Sequence, residues 1–397
     1  MKILQVNCVY KKGSTGKIVA DIHSELQKKG IESIVCYGRG KKIKEPNVYK
    51  TCPEWYSKFN NLLSRFTGLM YGGCFFSTLY LIHIIKREKP DVVHLHCING
   101  YFVNIYRLIN WLKINKIKTV LTLHAEFMHT ANCGHALDCE KWKTGCGKCP
   151  GLKSEMKSLF FDRTHESWIK MKDAFDGFQD LSVVSVSPWL KSRAVQSPIL
   201  SKQKHFVVLN GVDTNIFKPK DKSSLKQKYG FYGKKVIFHV TAFFTDKLDG
   251  FKGGTFVLQL AQMLPEFEFV VAGSHDFIKE IPKNLHILGS ISNQEVLADY
   301  YSLSDVTLIV SKRETFSMPV AESISCGTPV VGFMAGGPES ICPPNNGIFV
   351  EYGDISALKN SIYRLLKKEI NKTDDGSFYK SYDKHLTTMN YIQIYNR

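Results

Sequence analysis

Short apolar runs that end in polar residues recur along the whole chain, each followed by an amphipathic stretch of helical length. That alternation is the signature of βα units around parallel sheets. Ile3–Val9 reads as the first strand, Gly13-Ser-Thr-Gly-Lys17 as a turn, and Ile18–Lys29 as a helix with Ile18, Ile22 and Leu26 on one face, stopped by Gly30. Strands are expected again at Ile31–Tyr37, Asp91–His96, Thr119–His124 and Leu181–Val186. A second series opens at Phe206–Leu209 and continues through Val236–Val240, Phe267–Ala272, Leu285–Leu288, Val306–Val310 and Pro329–Gly332. At 397 residues the chain is too long for one core. The pattern therefore predicts two similar-sized α/β domains joined near 190–205, with ligands gathered at the carboxyl ends of the strands.

Charge is unevenly placed. Residues 1–200 carry 30 Lys and Arg against 16 Asp and Glu, whereas residues 201–397 carry 23 against 20. Nearly all of the +17 surplus thus lies in the first half, which suits an anionic partner: a membrane, a nucleic acid or a phosphorylated substrate. The opening Met1–Cys8 lacks a charged segment ahead of a long apolar run and reads as a buried strand, so a cytoplasmic chain is expected. In that setting the eleven cysteines read as reduced thiols or metal ligands. Phe66–Ile85 holds no Asp, Glu, Lys or Arg. Gly68, Gly72, Gly73, Ser77, Thr78 and His83 dilute it, which favours a buried or interface-lying helix over a membrane span.

Three local patterns carry chemistry. Glu314-Thr-Phe-Ser-Met-Pro-Val-Ala-Glu322 follows the strand Val306–Val310, with Pro319 suited to the first turn of a helix and Gly327 to its stop. Amides around Phe316–Met318 would face an anion, and two carboxylates beside them suit the diols of a sugar nucleotide; the plain alternative makes both glutamates solvated helix-start charges. Gly13–Lys17 is not a Walker loop, because its glycines are three apart and Ile18 follows the lysine. Cys133, Cys139, Cys146 and Cys149 are spaced C-x5-C-x6-C-x2-C, and Gly145-Cys-Gly-Lys-Cys149 resembles half of a zinc knuckle. Four thiolates suit a closed structural zinc site; unliganded thiols or one disulfide are the alternatives.

The Glu-x7-Glu element with its Gly327-Thr-Pro-Val-Val331 strand resembles the family-4 retaining glycosyltransferases of GT-B fold. Gly13–Lys17, Pro90–His96, Leu121–His124, Ser187–Leu190, Asn210–Asp213 with Phe217, and Lys252-Gly253 occur in that family's order, across about residues 1–365. The bacterial exopolysaccharide subgroup of colanic acid type is the nearest likeness. The resemblance implies two doubly wound Rossmann-like domains facing a cleft: an acceptor-side domain 1–193, a donor-binding domain 194–369, and a helix of about 370–397 packing back on the first.

The same resemblance implies site roles. Glu314 contacts the donor sugar, Glu322 the ribose hydroxyls, and Lys252 with Lys247 the diphosphate, Lys247 standing where an arginine is usual. Phe316 and Ser317 line the donor, with Ser317 in the family's glycine place. Gly16 lines the cleft, and His124 lies near the donor sugar and leaving phosphate, with Ala125 and Glu126 where subgroup members show an aspartate next. His94 and His96 are candidates on the acceptor side. On its own a lysine reads as a surface charge and a strand-end histidine as structural.

The function implied is a retaining glycosyltransferase that moves a sugar from a nucleotide-sugar donor to a lipid-linked glycan acceptor in bacterial surface polysaccharide synthesis. It needs no metal for its chemistry and works at the inner face of the plasma membrane, against an anionic lipid surface. A sugar-nucleotide epimerase of the same fold would share the donor site but release product without acceptor. A nucleic-acid-binding zinc protein would concentrate basic residues around the cysteines. There Lys141, Lys143 and Lys148 meet Asp138 and Glu140, so no nucleic-acid partner is expected.

Overall fold

A computed structural model describes residues 1–247, 251–276, 280–367 and 378–397. The chain divides into two compact units, Met1–Leu209 with Thr387–Arg397, and Asn210–Leu386. In the first, seven strands form one sheet: β1 (Lys2–Asn7), β2 (Glu32–Tyr37), β3 (Val48–Lys50), β4 (Val92–Leu95), β5 (Thr119–Leu123), β6 (Leu181–Ser185) and β7 (Lys204–Val207). Their order is β3-β2-β1-β4-β5-β6-β7 and every pairing is parallel. Ile3, Leu4, Val6, Val93, Leu95 and Leu121 are buried, as strands covered on both faces require. The order reverses between β1 and β4, so the crevice at their carboxyl ends is where a doubly wound sheet binds.

The second unit repeats the design with six strands: β8 (Val236–Phe244), β9 (Glu268–His275), β10 (Leu285–Ile287), β11 (Val306–Ile309), β12 (Val330–Phe333) and β13 (Gly347–Val350). Again all are parallel, in the order β10-β9-β8-β11-β12-β13. Val257, Leu260, Val306, Leu308, Val331, Leu358 and Ile362 form one buried cluster between sheet and helices. Truncating one of these leucines to alanine costs about 2–5 kcal/mol. The strand order turns between β8 and β11. The loops after those two strands carry Lys247, Lys252 and Glu314.

The structure revises four expectations. The strand around Phe206 does not open the second series: β7 pairs with β6 through Val184↔Phe206, so the first unit runs to Leu209. The helix read as starting at Ile18 begins at Gly13 (α1, Gly13–Lys28). Phe66–Ile85 is not one helix. α2 (Glu54–Thr67) ends at Gly68 with φ +72°, and α3 (Phe75–Glu88) starts after a loop. Among the described residues no helix is long and apolar enough to cross a membrane. Fourth, the tail is shared: residues to Leu386 belong to the second unit and Thr387–Arg397 to the first, within a helix Lys384–Tyr395. The expected helical stretch at 370–377 lies outside the described residues.

Candidate active site

At the end of β11 the chain crosses back over its own sheet, and close backbone contact fixes where the charged groups emerge. Gly253 has φ +71°, and a Cβ there would lie 2.1 Å from the Val310 carbonyl oxygen, so only glycine lets the Lys252-Gly253 turn lie against the strand end. Lys252 Nζ is thereby placed 2.5 Å from Glu314 Oε1. The Glu314 loop is itself pinned, its N–H donating to Ala335 O at 3.0 Å and its carbonyl accepting from Gly337 N at 2.8 Å. A Cβ on Gly337 would meet Phe316 N at 2.5 Å, so this crossing too depends on glycine.

From there Thr315, Phe316 and Ser317, all buried, lead into the helix Met318–Ser325. Ser317 stands at the helix start with φ +84° and makes no side-chain capping bond, while Pro319 fits the first turn. One turn in, Glu322 is buried and its Oε2 accepts the Tyr301 hydroxyl at 2.9 Å. Burial, and then the Glu322 charge, push the Tyr301 pKa well above its usual value, so it stays a donor. The structure thus brings Lys252 and Glu314 into contact and sets Phe316, Ser317 and Glu322 on the next turn of chain. Lys247 is engaged elsewhere: exposed, it pairs with Asp276 at 3.1 Å.

Two residues that sequence reasoning passed over belong to this group. Tyr301 carries no local motif, since it sits on another helix 21 residues from Glu322. His239 was visible as a lone histidine within the apolar strand Val236-Ile-Phe-His-Val240. It is buried, its Nδ1 is 2.9 Å from Leu308 O, and desolvation, with the Lys252 charge acting the same way, lowers its pKa to about 4. It is therefore neutral at neutral pH.

In the first unit Gly16 lies within the first turns of α1, its carbonyl accepting from Lys11 N at 2.9 Å. A Cβ there would stand 3.1 Å from Val9 Cγ2, so a side chain would make a neighbour give by a few tenths of an ångström. His124 follows β5, with its Nε2 3.1 Å from His96 Nδ1; His96 Nε2 is 3.3 Å from Gln5 Oε1. With the Gln5 oxygen accepting, His96 Nε2 carries the proton and His96 Nδ1 accepts from His124 Nε2. Burial lowers the His124 pKa to about 4, so the ring is neutral. His94 is different: fully buried, it bonds Tyr395 Oη and Thr122 Oγ1, each at 2.7 Å, and fastens the C-terminal helix. That structural duty replaces the acceptor-side role expected of it.

Glu126, two residues past His124, is fully buried and spends its carboxylate on other groups. Arg193 Nε lies at 2.6 Å, His129 Nε2 at 3.6 Å, and Ala136 N donates at 2.8 Å. Burial alone would raise its pKa, but His129, Arg193 and the Ala136 amide hold it down to about 2. Arg193 also stacks on the buried Trp142, tying down the cysteine-rich loop. Cys133, Cys139, Cys146 and Cys149 line one small cavity and are all free thiols. Burial, reinforced for Cys146 by the Cys139 and Cys149 sulfurs, pushes that thiol up to about 11. The donor set is that of a zinc site, but the arrangement is not: among the described residues no group of three or more His, Cys, Asp or Glu could hold a metal ion.

Comparison with known proteins agrees with this architecture. The family model described as "Glycosyltransferase Family 4" matches residues 15–216, just over half of the chain, and that described as "Glycosyl transferases group 1" matches residues 234–368. The chain is 24% identical over 395 residues to a putative colanic acid biosynthesis glycosyl transferase of Escherichia coli, covering 95% of this chain and 93% of the relative. It is 22% identical to an N-acetyl-alpha-D-glucosaminyl L-malate synthase of Bacillus anthracis, covering 98% and 95%. Among solved structures, Anabaena HepE in complex with UDP-glucose superposes with a TM-score of 0.66 at 15% identity, covering 100% of this chain and 99% of that one.

Proposed function

Because this chain belongs to glycosyltransferase family 4 and has the two Rossmann-like units of the GT-B fold, we propose that it moves a sugar, with retention, from a nucleotide-sugar donor to a lipid-linked glycan acceptor in bacterial surface polysaccharide synthesis. The observation that carries the donor reading is the Lys252–Glu314 contact at the switch point of the second sheet, on the loop that leads into the helix carrying Glu322. Glu322 grips the ribose hydroxyls, with Tyr301 fixing its free rotation. Glu314 meets the donor sugar, beside Phe316 and Ser317 at an uncapped helix start that suits an anion. Lys252 leaves Glu314, and Lys247 leaves Asp276, to neutralise the diphosphate as it departs; positioned cations supply several kcal/mol to such a step.

In this reading C1 of the sugar breaks its bond to the phosphate oxygen and gains one to the acceptor oxygen on the same face. The acceptor proton passes to the departing phosphate, so no separate base and no metal are required. His124, kept neutral by burial, orients a donor hydroxyl, and Gly16 follows the first strand of the same sheet. HepE, whose structure holds UDP-glucose, supports a uridine nucleotide as the first donor to try. The two relatives' names give them different products. The lipid-linked acceptor therefore rests on this chain's basic first half.

The test is transfer from UDP-, GDP- and dTDP-sugars to a lipid-linked acceptor, with Glu322→Ala alongside. Full transfer by that variant removes the donor assignment, and product released without acceptor turns the reading to an epimerase. Structural zinc in the Cys133, Cys139, Cys146 and Cys149 loop is proposed separately, on donor chemistry alone, and requires the four thiols to draw together from the arrangement described above. One zinc per purified chain by elemental analysis supports it, and none removes it.

A further inference from the structure

Two neighbouring helices of the first unit are built inside out. α2 buries Ser57, Asn60 and Ser64 and presents Trp55, Phe59, Leu62, Leu63 and Phe66 to solvent, the helical spacing of a core face turned outward. Its inner face is closed by polar bonds instead: Ser57 Oγ donates to Gly100 O at 3.1 Å, and Asn60 Oδ1 accepts from Cys74 N at 2.7 Å. The first turns of α3 do the same, burying Ser77 and Thr78 while Phe75, Phe76, Leu79 and Tyr80 stand exposed. Trp55 is 70%, Phe76 71% and Phe160 66% exposed.

These side chains form one surface. Tyr56 and Phe76 rings lie 6.2 Å apart, Phe66 and Phe160 5.8 Å, and Leu159 N donates to Arg65 O at 2.8 Å. A groove of about 670 Å³ runs between Trp55, Tyr56, Phe76 and Tyr80, with Lys42 and Lys50 at its wall. A soluble protein rarely exposes so continuous an apolar patch without a partner.

We infer that this face seats the protein on an anionic lipid bilayer. Charge selects that occupant. From Pro53 to Ile85 the only acidic residue is Glu54, held by Arg39 at 3.1 Å, against Lys58 and Arg65; Lys86 follows, and Arg87 is paired with Glu88. Arg107 covers Phe75, and Arg163 covers Phe161. A second copy of this chain would bring like charge against like. A bilayer instead offers hydrocarbon to the aromatic rings and phosphates to the cations that flank them, each basic group contributing about 1 kcal/mol near an anionic surface. The inference goes beyond the catalytic reading and is tested without sugar nucleotide, so a failed donor assignment leaves its result unchanged.

The experiment is flotation of the purified chain with vesicles of phosphatidylcholine, alone or mixed with phosphatidylglycerol. Binding is expected to the mixed vesicles and to weaken with added salt. The triple variant Phe59→Ser, Phe66→Ser, Phe160→Ser is expected to keep its thermal melt and lose roughly tenfold or more in partitioning, from the apolar area removed. Lys157 is exposed on the segment before Phe160, its carbonyl accepting from Arg65 Nε at 3.3 Å; Lys58→Glu with Lys157→Glu, which leaves every aromatic in place, should lose the anionic preference. Brominated lipid should quench the wild type more than Trp55→Phe. Equal partitioning of wild type and triple variant overturns the inference. So does a wild type that ignores vesicles but sediments as a dimer that the triple substitution dissociates.

Discussion

At Ser317 the backbone holds φ +84° and ψ +89°, a region where a Cβ is strained and glycine is at ease. The resembled family places glycine there, and the backbone geometry gives the reason. Ser317→Gly is expected to raise stability by up to about 1 kcal/mol through relief of that strain, read as an upward shift in urea midpoint at unchanged slope. A lower midpoint would mean that the hydroxyl does structural work that outweighs the strain. Glu322 allows a sharper expectation. Its carboxylate is buried and takes the Tyr301 hydroxyl. Glu322→Gln keeps the shape but trades an acceptor for a donor, so UDP-sugar affinity should fall by about 10- to 100-fold, the range for losing a charged hydrogen bond or two. Tyr301→Phe should fall less, because it only loosens the carboxylate. Calorimetric titration separates the two, and equal losses would make Tyr301 itself a ligand.

Elements were legible where pattern and burial agree. The runs ending at Val9, Tyr37, His96, His124 and Val310 became strands because central parallel strands are apolar on both faces. β3 and β13 escaped notice, since three or four residues at a sheet edge leave no period to read. The α2 surface escaped for the opposite reason: its pattern is strongly helical, but nothing in a single sequence says which side of an amphipathic helix meets the core. The Glu314–Glu322 element was legible as chemistry, whereas Tyr301 was not, because it reaches Glu322 only through tertiary packing. Gly253 gives the element-level test of that packing. Gly253→Ala must push the Val310 carbonyl aside and hold φ +71°, so a loss of about 2 kcal/mol or more is expected, with weakened donor binding as Lys252 is displaced. Unchanged melting and affinity would contradict the crossing.

Acid treatment should take the molecule apart unit by unit. His23, His94, His96, His124, His129 and His205, all in the first unit, have pKa values lowered chiefly by burial, while among the described residues of the second only His239 does. A histidine whose folded pKa lies below its unfolded value binds its proton more readily when unfolded, so the stability of the folded state falls as pH drops from about 6.5 toward the folded value, about 4 for His124. Each such ring contributes up to about 1.4 kcal/mol per pH unit across that window. Glu126, held at about 2, acts in the same direction at lower pH, its stabilisation of about 3 kcal/mol disappearing between roughly pH 4.5 and 2. The first unit also carries the chain's positive surplus, so protonation adds repulsion where it is already largest. All five tryptophans, Trp55, Trp111, Trp142, Trp168 and Trp189, lie in that unit, so tryptophan fluorescence follows it alone while far-UV circular dichroism follows both. On acid titration the fluorescence change should therefore finish at a pH where part of the helical signal survives. Glu126→Gln should leave the transition above pH 4.5 in place and flatten the one below it. Coincident transitions by the two probes would show that the units unfold together and that the buried imidazoles do not set the order.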